Sequence, residues 1–201
     1  FDNEYPKSTG YVTLGNVNQQ YIKFSNFVSG NIYDPTNSRR ENVRFDFSTG
    51  STIEFWMKKS NFKASFERIA EFYGNGATTV TNNKNIVLQL SSASASNLSV
   101  IYKSGSTFNF NHTLSTNLST IADSKWHHYA VTLFSSSAGY NTELYLDGQL
   151  CSTASTVASS IDNLTGTIVS YISAGPSNPP LSDALQLSGS IDEFRFWNTR
   201  R

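Results

Sequence analysis

Apolar and polar residues alternate with a period of two along much of the chain. Val43, Phe45 and Phe47 point one way while Arg44 and Asp46 point the other, and Ile53, Phe55 and Met57 oppose Glu54 and Lys58. The pattern recurs at Ile86, Leu88 and Leu90, at Leu98, Val100 and Tyr102, and at Leu144 and Leu146. Successive side chains of a strand face opposite ways, so these runs predict strands that bury one face. Clusters rich in Ser, Asn, Gly and Thr lie between them. Gly74–Asn85, Ser91–Asn97, Ser135–Asn141 and Ser152–Ser160 read as loops. No long amphipathic helix is evident, although Ser60 to Arg68 has room for one helical turn. Asp147-Gly148, inside the alternating run from Glu143 to Leu150, predicts a two-residue hairpin turn, because Gly accepts the positive φ such a turn demands.

About a dozen short strands with apolar faces must bury those faces against one another, which predicts an all-β, two-sheet antiparallel sandwich. The expected organisation is one domain over residues 1–201 with no linker. The chain opens on Phe1 and has its only Met at position 57, so a segment of a larger protein is expected.

Composition narrows the partners. Fifteen Lys+Arg balance fifteen Asp+Glu, and charged residues make up only 15% of the chain, against ~25% in an ordinary soluble domain. Polarity comes instead from 31 Ser, 19 Thr and 20 Asn. Without a cationic excess, nucleic acid cannot be bound through counterion release, and a polybasic membrane surface is disfavoured. No segment approaches the ~18 apolar residues that would insert into a membrane. At 38% hydrophobic and 13% aromatic, the chain has the means to build a core. Cys151 is the single cysteine and cannot form an internal disulfide, so stability rests on packing or a bound ion.

Four phrases, in order, carry a resemblance. They are Ser51-Thr52-Ile53-Glu54-Phe55-Trp56-Met57-Lys58, Trp126-His127-His128-Tyr129-Ala130-Val131-Thr132, Leu144-Tyr145-Leu146-Asp147-Gly148, and Leu187 to Asn198 with its Gly189-Ser190-Ile191-Asp192-Glu193 core. Together they resemble the laminin-G-like, concanavalin A-like jelly-roll domains over roughly Thr52 to Asn198. The resemblance implies two curved antiparallel sheets and a non-catalytic module attached to something larger, binding glycans or proteins, often with calcium.

The candidate residues follow. A glycosidase needs two carboxyls flanking the scissile bond. Asp192 and Glu193 are strand neighbours expected to point to opposite faces, and Asp147, the companion of Glu143, falls in the turn, so hydrolysis is not expected. His127 and His128 also point to opposite faces and cannot share one metal; one is expected at the core edge and the other on the outer sheet. Asp192 shares parity with Phe194 and Phe196 and is expected to face the core, where a carboxylate needs a partner. The resemblance makes it a plausible calcium ligand, with Asp34 and Asn37, and also Asp2 and Asn3, as oxygen donors. Tyr33, Tyr73, Tyr140 and Tyr171 lie in or beside expected loops and are the candidate sugar-stacking residues. Trp56, Trp126 and Trp197 belong to the motif strands and are expected in the core or on a sheet face, and Arg200-Arg201 is expected to be solvated.

The resulting expectation is a non-enzymatic recognition module, carbohydrate-binding or adhesive and calcium-assisted, on an extracellular, cell or virion surface. Its partners would be glycans or surface proteins, the parent polypeptide's other domains, or copies of itself. The contending reading is a structural or decoration domain without a ligand pocket.

Overall fold

A computed structural model describes residues 12–14, 20–25, 43, 45–74, 84–91, 97–104, 108–115, 122–157, 168–174 and 185–201. Its strands are β1 Val12–Leu14, β2 Ile22–Ser25, β3 Ser51–Lys58, β4 Glu67–Gly74, β5 Lys84–Leu90 and β6 Asn97–Ser104. They continue with β7 Phe108–Ser115, β8 Trp126–Ser136, β9 Gly139–Leu146, β10 Gln149–Thr156, β11 Val169–Ile172 and β12 Gly189–Trp197. Six form sheet A, in the order β1-β12-β3-β8-β9-β10, and six form sheet B, in the order β2-β11-β4-β5-β6-β7. The pairings are antiparallel throughout. This is the expected two-sheet sandwich.

The period-two pattern decides which side chains meet between the sheets. In sheet A, Ile53 and Phe55 of β3 stand opposite Val131 and Tyr129 of β8. Phe55 stacks between Tyr129 and Phe194, with ring centroids 5.3 and 5.8 Å away. Sheet B answers with Phe72, Ile86, Leu88, Leu98, Val100 and Tyr102, all buried. Asp147 and Gly148 have φ of 49° and 79°, the pair of positive values that a type I′ turn between β9 and β10 requires.

Four expectations about local structure change. Phe45 and Phe47 belong to no strand, yet both are fully buried in the core. Ser60 to Arg68 contains no helical turn; β4 has already begun at Glu67. Ser135–Asn141 is mostly strand, with only a tight turn between β8 and β9. Much of Ser152–Ser160 is edge strand β10. An edge strand has little to bury, so its Ser and Thr residues carry no alternation in hydrophobicity.

Bulges account for another correction. On β12, Asp192 pairs with Trp56 and Arg195 with Glu54, so three residues on one strand span two on the other. The extra residue shifts the phase. Ile191 and Phe196 therefore both face the core, opposite Met57 and Ile53, while Asp192 faces outward with Trp56. Glu193 takes up the bend with φ 47°. A second bulge, in β4, turns both Ile69 and Ala70 inward.

His112 also faces the core. Its Nδ1 lies 2.9 Å from the Thr142 hydroxyl oxygen, and its ring sits 4.4 Å from that of Phe110. Burial holds the imidazole below its ordinary value of 6.5. As pH falls past that value, the unfolded chain takes up a proton that folded His112 resists, so stability falls with pH. Denaturation curves between about pH 7 and 5 should show this loss, and His112→Gln should flatten it.

Candidate ligand-binding face

Each sheet has one face turned away from the core, and the two differ in chemistry. On sheet A the outward row runs Asp192, Trp56, His128, and the next runs Arg195, Glu54, Ala130, Tyr145. Its polar groups are engaged with one another. Arg195 bridges Glu54 at 3.3 Å and Glu193 at 2.6 Å. Glu143 accepts from Tyr145, Thr132 and Arg200. The ring of His128 packs 5.3 Å from that of Trp56.

The chain's last residues lie across the same face. The Thr52 hydroxyl donates to the Thr199 carbonyl and accepts from the Arg201 amide. The Arg200 guanidinium covers Phe134 at 3.9 Å and that of Arg201 covers Trp197 at 4.0 Å. The arginine dyad thus lies against aromatic rings rather than being fully solvated. This face consumes its own recognition groups.

Sheet B is different. Its outward side chains include Lys23 of β2, Tyr171 of β11, Arg68, Glu71 and Tyr73 of β4, Asn85 and Gln89 of β5, and Lys103 of β6. Glu71 stands directly opposite Tyr171 and two residues from Tyr73 on the same strand. It is 3% exposed, and Gln89 is 7% exposed. Arg68 donates to Glu71 Oε2 at 2.7 Å and Asn85 Nδ2 to Oε1 at 3.0 Å. The β4 bulge brings the Arg68 side chain onto this face.

Burial lifts the Glu71 carboxyl above its usual range, opposed by Arg68, Tyr73 and Asn85, which favour the ionised form. Burial also lifts the Tyr73 phenol, and the neighbouring Glu71 charge adds to the effect. Both Glu71 oxygens are engaged, so the carboxylate orients its neighbours and is poorly placed as a base. Around this anchor lie Tyr171, Tyr21 at 5.8 Å between ring centroids, and the Lys23 ammonium 5.7 Å from the Tyr171 ring. Among the described outward residues of sheet B there are three cations and one carboxylate. A pair of carboxyls on one substrate, as glycoside hydrolysis needs, is not present there.

The candidate residues separate accordingly. Tyr73 and Tyr171 come together on sheet B. Tyr140 does not join them: it is 1% exposed, packed against Phe47 and Phe110, because its parity on β9 is that of Leu144. Tyr33, Asp34, Asn37, Asp2 and Asn3 lie outside the described residues. Asp192 Oδ1 accepts from the Glu193 amide at 2.8 Å, on the outward side of sheet A. No cluster of three or more His, Cys, Asp or Glu able to hold a metal occurs among the described residues.

His128 covers the outer sheet. His127 lies at the core edge, with Nδ1 2.8 Å from Asp147 and Nε2 3.2 Å from Asp123. Glu71, Arg68, Asn85, Gln89 and Lys103 were not singled out by sequence. The one available signal was a charged residue inside the apolar run Ile69–Tyr73.

The fold and the motif strands define a class. A family model described as the concanavalin A-like lectin/glucanases superfamily matches residues 10–201, and the chain belongs to that family. By sequence alone, no curated protein matches it. Solved structures share the fold at low identity. A carbohydrate-binding module (CBM40) of the Ruminococcus gnavus IT-sialidase is 15% identical, with 92% of each chain covered and a TM-score of 0.53. A putative carbohydrate binding protein from Bacteroides ovatus is 18% identical, with a TM-score of 0.53, covering 95% of this chain and 45% of that one. An endo-β-1,4-glucuronan lyase from the fungus Trichoderma reesei is 15% identical, with 95% and 92% covered and a TM-score of 0.51. The fold thus serves both binding and catalysis, and the site must decide between them.

Proposed function

We propose that the outward face of sheet B binds glycans and that the chain is a non-enzymatic recognition module of a cell-surface, extracellular or virion-surface protein. The observation that carries this reading is the buried Glu71 that holds Arg68 and Asn85 in place beside Tyr21, Tyr73 and Tyr171. Aromatic rings offer flat apolar faces to sugar C–H groups, and pre-oriented amides and guanidinium groups bond hydroxyls at little ordering cost. Carbohydrate-binding proteins among the structural neighbours support the same reading.

The test is a glycan array, followed by titration calorimetry on the 201-residue chain, with calcium and with chelator. Tyr171→Ala should weaken binding by thirtyfold or more, the equivalent of ~2 kcal/mol for an aromatic anchor. His128→Ala, on the opposite sheet, should leave it unchanged. Binding abolished by chelator would show that recognition depends on calcium. A blank array would sink the proposal and favour a purely structural module.

A further inference from the structure

Among the described residues, His127 is the one histidine that meets a carboxylate at each ring nitrogen. His112 meets the Thr142 hydroxyl instead, and the His128 ring packs on Trp56. His127 Nδ1 stands 2.8 Å from Asp147 Oδ2, and Nε2 stands 3.2 Å from Asp123 Oδ1. The two carboxylates belong to different elements. Asp147 sits in the β9–β10 turn, and Asp123 lies ahead of β8 in the largely exposed residues 122–125. One imidazole thus ties that stretch to the hairpin.

An ionised carboxylate only accepts hydrogen bonds, so each contact needs an N–H on the ring, and the imidazolium alone has two. The neutral ring keeps one donor and turns a lone pair on the other carboxylate. The surroundings decide which contact survives. Asp147 is fixed twice more: its Oδ1 accepts from the His128 amide at 2.9 Å, and its own amide donates to the His128 carbonyl at 2.8 Å. Asp123 has the longer contact to His127. Its other bonds stay within its own turn, to the Lys125 amide at 2.8 Å and the exposed Lys125 ammonium at 3.7 Å. The remaining proton therefore stays at Nδ1, and Nε2 loses Asp123.

The freed stretch has reason to move. Ser124 holds φ at 66°, a left-handed conformation that strains a residue with a Cβ, while its amide donates to the Lys59 carbonyl at 2.8 Å. The neighbouring groups keep their own charge states. Burial raises the Asp123 carboxyl, but the Lys125 amide, His127 and the Lys125 charge together hold it below its ordinary 3.8. Burial, then the Asp147 and Asp123 charges, raise the Tyr129 phenol on the same face of β8. From β3, Met57 stands opposite His127, and the Lys59 ammonium is committed to Glu67 at 2.7 Å.

We infer that His127 is a pH-operated clasp. Protonated, it pins residues 122–125 to the β9–β10 turn; neutral, it keeps the turn and releases the stretch. Histidine changes charge between about pH 5 and 8, so the clasp is closed on the acid side and opens as pH rises, opposite in sense to buried His112. An exposed contact of this kind adds little to global stability, so the opening is local.

Hydrogen exchange of the Ser124 amide in the 201-residue chain tests the inference, read from about pH 5 to 8 with the intrinsic exchange rate divided out. The protection factor should fall by roughly threefold or more as pH rises, in step with the imidazole nitrogen shifts that report the charge of His127. His127→Gln should abolish that pH dependence. Asp123→Asn should abolish it too, because an amide can meet either form of the ring. His128→Gln, which keeps the backbone bonds to Asp147, should leave it in place, and thermal melts should show all three variants folded. Protection that stays flat while His127 titrates, or that falls equally in His127→Gln, overturns the inference. An imidazole that holds one charge state across the whole range does so too.

Discussion

Lys59→Met is expected to lower the unfolding free energy by about 3–5 kcal/mol, the usual loss when one member of a buried ion pair is removed. Both side chains of the Lys59–Glu67 pair are fully buried, with Nζ and Oε2 2.7 Å apart. Oε2 also accepts from the Ser188 amide at 2.8 Å, and Oε1 accepts from the Lys63 amide at 3.1 Å. The ammonium donates to the Ser188 carbonyl and lies 5.6 Å from the Phe62 ring centre. The pair therefore ties the residue after β3, the start of β4 and the residues leading into β12. Gly189 permits this closeness, since a Cβ there would stand 2.8 Å from the Lys58 carbonyl and 3.1 Å from Lys59 Cγ.

Methionine fills the volume of Lys59 but leaves the Glu67 carboxylate without its countercharge, where water cannot replace it. At ~2–4 °C per kcal/mol for a chain of this size, the melting temperature should fall by roughly 10 °C. Replacing both residues, Lys59→Met with Glu67→Leu, should recover only part of the loss, because the Ser188 and Lys63 amides stay unsatisfied. Urea denaturation checks both variants. A loss below about 1 kcal/mol for Lys59→Met would mean that water reaches the pair.

Nothing in the sequence marks that pair. Lys59 and Glu67 are eight residues apart across an irregular segment, a spacing that strand or helix periodicity does not join. The strands themselves were legible where one face meets core and the other solvent, as at Ile53-Phe55-Met57 or Leu98-Val100-Tyr102. Legibility failed where that contrast vanishes. β10 borders the sheet and buries little, so its Ser/Thr-rich sequence reads as loop. Bulges defeat periodicity in another way. Asp192 and Phe196 have the same parity in sequence, yet one added residue puts them on opposite faces.

The candidate site was half legible for related reasons. Tyr73 and Tyr171, expected beside loops, lie on the outward face of sheet B near the ends of their strands. Tyr140 failed the same rule, because the tight turn at Ser137 leaves it already in β9, with its ring inside. Glu71 meets Tyr171 through a cross-strand pairing with β11, about a hundred residues later in the chain, and only register reveals such a neighbour.

Phe45 shows how alternation can be right about burial and wrong about structure. It lies outside every strand, yet its ring meets Phe196 of sheet A at 4.7 Å and Phe72 of sheet B at 5.1 Å, so it spans the gap between the sheets. Phe47 does the same with Tyr140 at 4.9 Å and Tyr102 at 5.7 Å, and its carbonyl accepts from the Ser135 amide at 2.7 Å. These two rings wedge the space that strand side chains leave unfilled. Phe45→Ala removes contacts to both sheets at once, and neither sheet can collapse into the space without shifting its register. The expected loss is about 3–5 kcal/mol, the range for truncating a buried phenylalanine. Phe45→Leu should restore a large part of it. Phe66→Ala, at an exposed ring, should stay within about 0.5 kcal/mol of wild type. The denaturant midpoint should fall for Phe45→Ala with the slope unchanged, since the surface exposed on unfolding is nearly the same. If Phe45→Ala were as mild as Phe66→Ala, the wedge would be decoration, and the two sheets would hold together on strand side chains alone.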